Sequence, residues 1–377
     1  MKAVALSLVL LLIAGGCRKE TSTQKDPDTT PASTQIQGTF NDHELLQFTA
    51  LEPIDTHTHI YESDPAFFAM LQKLHLHILD ITVVADNNNP ERKHLAKESR
   101  DVFEVVDNSH GHAAVCTTFD AYRFNQRDFA ASAIHQLNQS FAQGAIAVKI
   151  WKNVGMEIKD TEGNYILPDN PSLEPIYKDI VAHHKTLVTH IADPNTAWLP
   201  PDAAALDFSY FANNPEWYMY KIPHPPSKEQ ILRARDHVLE ANPSLRMVGA
   251  HLGSMEANFS QLAQHLDRYP NFAVDLAARM PYLMMQPRAY MIAFIIRYQD
   301  RLIYGTDESL YPHADVQQLV TRSEESYARD WRFLATNDML DFRGRKVEGL
   351  ALPEPILHKI YHDNAVHWFP GILDKSH

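Results

Sequence analysis

Ile54-Asp55-Thr56-His57-Thr58-His59 is the stretch on which the reading of this chain turns. It closes an apolar, β-prone run that begins at Leu51. Side chains two apart on extended backbone face the same way, so His57 and His59 can reach a common point past the strand. Two imidazoles aimed at one point start a site for Zn²⁺ or a similar borderline metal. In a chain with 21 histidines such a pair is a weak sign alone, and its meaning depends on what lies beside it.

Seven further short β-rich runs follow, at residues 76–85, 113–119, 145–151, 186–191, 246–250, 272–277 and 301–304. Helical patterns lie between them. Ala130, Ile134, Leu137 and Phe141 share one helical face, and residues 231–241 and 256–269 also read as helices, the latter closed by Pro270. Strands buried on both faces and separated by helices build a parallel sheet, and eight such units predict a (β/α)8 TIM barrel. An open doubly wound sheet would call for a glycine-rich phosphate turn after an early strand, which the sequence lacks. After the fifth run, a long connection from Asp193 to about Pro226 carries Trp198, Phe208, Tyr210, Phe211, Trp217, Tyr218 and Tyr220. A barrel loop in that position is a lid whose aromatics line a substrate pocket, with Trp198 and Trp217 as candidates, or it is a packed excursion.

The polar residues gather where a barrel keeps its chemistry. His190 ends the fifth run, His251 ends the sixth and Asp307 follows the eighth, all at strand C-terminal ends. His75, His77, His183 and His184 lie at strand starts or on helices and read as background. Lys149, near the end of the fourth run, is a cation for an anionic substrate or a structural residue. Arg279, after the seventh, clamps a carboxylate or makes a structural ion pair.

This set resembles the amidohydrolase superfamily, specifically the amidohydrolase-related branch that also holds carboxy-lyases. The resemblance rests on the HxH, on Ala250-His251-Leu252-Gly253, on Gly305-Thr306-Asp307 and on the closing Asp363-Asn364-Ala365-Val366-His367-Trp368-Phe369, and spans about residues 51–370. It implies that His57, His59 and His190 ligate a divalent metal, most often Zn²⁺, one ion or two. It makes Asp307 a ligand or the partner of the metal-bound water, and His251 an electrophile or acid. In some relatives a lysine at the place of Lys149 is carbamylated and bridges two metals. The implied activity is hydrolysis of a C–N or C–O bond (amide, lactone or ester) in a small molecule, since a divalent ion brings the pKa of water from about 15.7 to about 7. Decarboxylation is the alternative within the same branch. A non-catalytic metal- or ligand-binding lipoprotein would leave the strand-end positions of His251 and Asp307 without a reason.

The ends and the composition complete the reading. Met1-Lys2, an apolar run from Ala3 to Ala14 and then Gly15-Gly16-Cys17 have the layout of a bacterial lipoprotein signal, with Cys17 as the lipidated residue. Residues 1–17 are therefore read as signal, 18–45 as a polar flexible tether and 46–377 as the barrel domain, exported and anchored in the cell envelope. With Cys17 taken by lipid, Cys116 has no disulfide partner; it sits in an apolar run and reads as inert. The net charge of −13, without a basic cluster, argues against a nucleic-acid partner. The partner expected is a small-molecule substrate, and the oligomeric state is not legible.

Overall fold

The computed structural model describes residues 38–84 and 95–374. The signal and the Cys17 anchor lie outside the described residues. Among those described, no helix is long and apolar enough to cross a membrane.

The first eight strands are β1 (Ile54–Ile60), β2 (His77–Ile81), β3 (Ala113–Thr118), β4 (Ala147–Ile150), β5 (Thr186–Thr189), β6 (Arg246–Gly249), β7 (Phe272–Asp275) and β8 (Leu302–Ile303). Each matches one of the eight expected runs, and each pairs in parallel with its neighbour in chain order. A ninth strand, β9 (Glu308–Leu310), pairs in parallel with β1. The sheet closes where β8 passes into β9: Thr56 donates from its backbone to Tyr304, and Asp307 donates to the His57 carbonyl at 2.8 Å. The buried Asp55 carboxylate secures this seam, accepting from the backbone N–H groups of His57 and Thr306, each at 3.0 Å, and from the Tyr327 hydroxyl at 2.8 Å.

Inside the barrel, Ile54, Leu79, Ile81, Cys116, Val188, Val248 and Ile303 pack together, and Trp368, Phe369 and Ile372 stop the end opposite the site. Burial pushes the Cys116 thiol up to about 12, which suits the inert role expected of it. Helices form the outer layer, including Phe129–Ala142, Lys228–Ala241 and Phe259–Arg268 near the positions expected for them. The first described helix, Asp42–Thr49, begins inside the stretch read as tether. Asn41 and Glu44 form a reciprocal capping box at its start. The Glu44 carboxylate then takes two hydrogen bonds from Arg332, each 2.7 Å, which ties this helix to Val316–Ala335.

Candidate active site

The C-terminal ends of the strands deliver the candidate residues to one mouth. β1 carries His57 and His59 as alternate residues, so the pair lies within the strand and not beyond its end. His251 lies just past β6 in a tight turn with φ 58, and Asp307 lies between β8 and β9 with φ 72. Leu252, Ser254 and Ala278 nearby are also left-handed. Non-glycine residues in that region each cost about 1–3 kcal/mol, and they gather where a site demands a set geometry. Gly305 permits the close approach of the last turn, since a Cβ there would meet the His57 Cβ at 3.1 Å.

His57, His251 and Asp307 offer donor atoms that lie within 4.8 Å of one another. His59 joins them, with Nε2 3.4 Å from Asp307 Oδ1, while His57 Nε2 is 3.5 Å from the same oxygen. The His190 ring packs 4.4 Å from His251, centroid to centroid, but its Nε2 turns away to Asp193 Oδ1 at 3.3 Å.

The partners of the four imidazoles set their tautomers. A carbonyl or an ionised carboxylate can only accept, so the ring nitrogen facing it carries the hydrogen. His59 Nδ1 donates to the Ile81 carbonyl at 2.8 Å, and His251 Nδ1 donates to that of Ala277 at 2.9 Å. His57 Nδ1 donates to Asp275 Oδ2 at 2.8 Å, and His190 Nε2 donates to Asp193. With the shorter contact taking the hydrogen, each ring keeps one unprotonated nitrogen: Nε2 of His57, His59 and His251, and Nδ1 of His190. Imidazoles held in this way, beside a carboxylate, fit a divalent ion that takes nitrogen and oxygen donors.

The electrostatics agree with neutral rings. Burial holds the His57, His190 and His251 imidazoles below their usual range; Lys149 adds to the effect at His57 and Lys152 at His190. Burial would raise the Asp307 carboxyl, but His251, the adjacent His59 and then His57 outweigh it and hold it well below the usual carboxylate range. Burial likewise lowers the Lys149 ammonium, against the pull of Asp275 and Asp307. Lys149 Nζ lies 3.1 Å from His57 Nε2 and donates to its lone pair.

Arg279 is 8% exposed, donates to the carbonyl of its own neighbour Ala278, and leaves Nε without a hydrogen-bond partner among the described residues. The long connection after β5 is packed down. Trp217 is 5% exposed and stands edge-on to Trp151, and Trp198 Nε1 donates to the Pro226 carbonyl at 2.9 Å. Both indoles thus make packing contacts within the protein.

Sequence reasoning missed the acidic residues behind the histidines. Asp275 accepts from His57 and, through Oδ1, from the backbone N–H groups of His251 at 2.7 Å and Ala277 at 3.1 Å. Its signal was an acid closing the apolar run Phe272-Ala273-Val274. Asp193, three residues after His190, and Lys152, two after β4, had no periodic signal.

These histidines and Asp307 thus gather at the mouth of a parallel barrel, where His57, His251 and Asp307 could hold a metal ion. The chain belongs to the amidohydrolase family, whose pattern it matches over residues 54–371. No curated protein matches it. A dihydroxybenzoic acid decarboxylase from a Polaromonas species, solved with bound manganese and the inhibitor 2-nitroresorcinol, has a TM-score of 0.52 at 12% identity, covering 85% of this chain and 97% of that one. An uncharacterised TIM-barrel protein from Bordetella bronchiseptica has a TM-score of 0.49 at 14% identity, covering 85% and 99%. A probable 2-pyrone-4,6-dicarboxylic acid hydrolase from Acinetobacter baumannii, solved with citric acid, has 0.44 at 11%, covering 84% and 99%. At these identities the likeness concerns the fold.

Proposed function

We propose that the chain is a metal-dependent hydrolase that cleaves a C–N or C–O bond in a small anionic molecule. One observation carries this reading: four imidazoles, each with one nitrogen fixed by a protein acceptor and the other unprotonated, gathered about the mouth that holds the Asp307 carboxylate. His57, His59, His190 and Asp307 would hold the ion, with Zn²⁺ suited to these donors. When bound, such an ion supplies Lewis acidity toward water and a substrate oxygen.

Asp307 stays ionised near neutral pH and takes the proton of the attacking water at a carboxylate oxygen. His251 holds its hydrogen on Nδ1, so it receives at Nε2 the proton that Asp307 took from the water and delivers it to the leaving group. Arg279 and Lys149 bring buried positive charge to the mouth; Arg279 Nε, without a hydrogen-bond partner among the described residues, suits a substrate carboxylate. The same two cations support a second reading, in which the carboxylate they hold is the group lost as CO₂. From the N-terminal sequence alone, we also propose that the enzyme is exported and lipid-anchored at Cys17.

The test is to incubate the metal-loaded chain with a panel of carboxylated esters, lactones and amides, and with hydroxybenzoates, following both acid release and CO₂. Hydrolysis without CO₂ is expected. Release of CO₂ with no hydrolysis would replace the first reading by the second.

A further inference from the structure

The long loop after β5 is fastened to the back of His190. Lys152 projects from the segment after β4 and is almost wholly buried. Its ammonium donates to Asp193 Oδ1 at 2.9 Å and Oδ2 at 2.8 Å, and to the Tyr210 hydroxyl. Its charge lies 4.4 Å from the Trp217 ring centroid and 4.9 Å from that of Tyr210. Tyr210 and Trp217 both belong to the loop, and desolvated cation–π contacts of this kind contribute to holding it. Asp193, at the root of the loop, is 2% exposed, and its Oδ1 also accepts from His190 Nε2 at 3.3 Å.

A counterion for Lys152 alone would not need to face His190. The shared Oδ1 does more, because a carboxylate there can only accept and so keeps the His190 hydrogen on Nε2. Nδ1 is left bare. We propose that Asp193 is a positioning residue for His190, and that Lys152 and Tyr210 couple its setting to the closed state of the loop at residues 195–226. Loop order and His190 tautomer are then two readings of one unit. By linkage, whatever binds at His190 Nδ1 orders the loop, and loosening the loop weakens that binding.

The affinity arm of the test rests on the metal reading above; the tautomer and exchange arms do not. Asp193→Ala combined with Lys152→Met removes both charges at once, so neither is stranded in the interior. Tyr210→Phe removes a single hydroxyl. In the metal-free full chain, ¹⁵N spectra of labelled histidine are expected to show His190 protonated at Nε2 in the parent and as a tautomer mixture in the double variant. Amide exchange over residues 195–226 is expected to rise in both variants. Zn²⁺ affinity, from competition with a chelator, is expected to fall about 10- to 100-fold in the double variant, as for other lost partners of metal-binding histidines. In Tyr210→Phe it is expected to fall about 2- to 10-fold, the worth of one hydrogen bond.

A folded double variant with the parental tautomer and parental Zn²⁺ affinity would overturn the positioning role. Should the double variant fail to fold, Tyr210→Phe decides: parental loop exchange and parental affinity would overturn the coupling. A parent that shows the expected tautomer yet binds no metal would overturn the metal reading and leave the positioning of His190 standing.

Discussion

Asp275→Asn is the substitution whose effect follows most directly from the geometry. Oδ1 of Asp275 accepts from two backbone N–H groups, those of His251 and Ala277, so asparagine must put its oxygen there. Its amide nitrogen then faces His57 Nδ1, where Oδ2 sat 2.8 Å away. Two N–H groups cannot face each other, so the His57 hydrogen is driven to Nε2, where it opposes the Lys149 ammonium and fills the lone pair a metal would need. Restoring the binding tautomer sets donor against donor, at about 1–3 kcal/mol for a buried unsatisfied group. That converts to about a 5- to 150-fold loss of metal affinity. Chelator competition with Zn²⁺ on the folded variant measures it, with thermal melts of the metal-free chain checking that the barrel is intact. Parental affinity in a folded Asp275→Asn would refute the reasoning, because it would mean that the His57 tautomer is not set by this carboxylate.

Asp307→Asn keeps an oxygen donor and removes the base, so metal is expected to stay while turnover falls about 10²- to 10⁴-fold; metal-replete assays check it. Glu44→Gln is expected to destabilise by about 2 kcal/mol near pH 7, since a charged hydrogen-bonded pair with the buried Arg332 becomes a neutral one. The folded-state pKa of Glu44 is lowered: burial raises it, but the Arg332 hydrogen bond, the Asn41 backbone and the Arg332 charge outweigh that. The pair's stability is therefore fully present above the ordinary value of 4.5 and lost as pH falls through the lower folded value, so denaturation curves of parent and variant are expected to converge in acid. Cys17→Ser is expected to move the protein from the membrane to the soluble fraction; fractionation identical to the parent would end the lipoprotein reading.

The barrel was legible because its strands are short apolar runs that stand apart from amphipathic helices and turns. The strand β9 was not, since Glu308-Ser309-Leu310 is brief and polar and is a strand only because β1 runs past His59 to pair with it. The helix at Asp42–Thr49 hid in a stretch that looks disordered by composition, although the Asn41–Glu44 capping spacing was there to be read. His57, His59, His190, His251 and Asp307 were singled out by position, toward the C-terminal ends of β1, β5, β6 and β8. Asp275 was not, because its partner His57 lies 218 residues away and no local pattern joins them. The aromatic loop shows the limit of composition: Trp198 and Trp217 read equally as pocket lining or as packing, and only the Lys152 cation and the Pro226 carbonyl show what they touch.

The central claim is that His57 and His59 hold a divalent ion on which turnover depends. Metal content of the purified parent and of the His57→Ala/His59→Ala variant, measured by elemental analysis beside a hydrolysis assay, tests it most directly. About one to two ions per chain are expected in the parent. The variant is expected to have neither ion nor activity. A metal-free parent with full activity, or a double variant that keeps both, would contradict the claim.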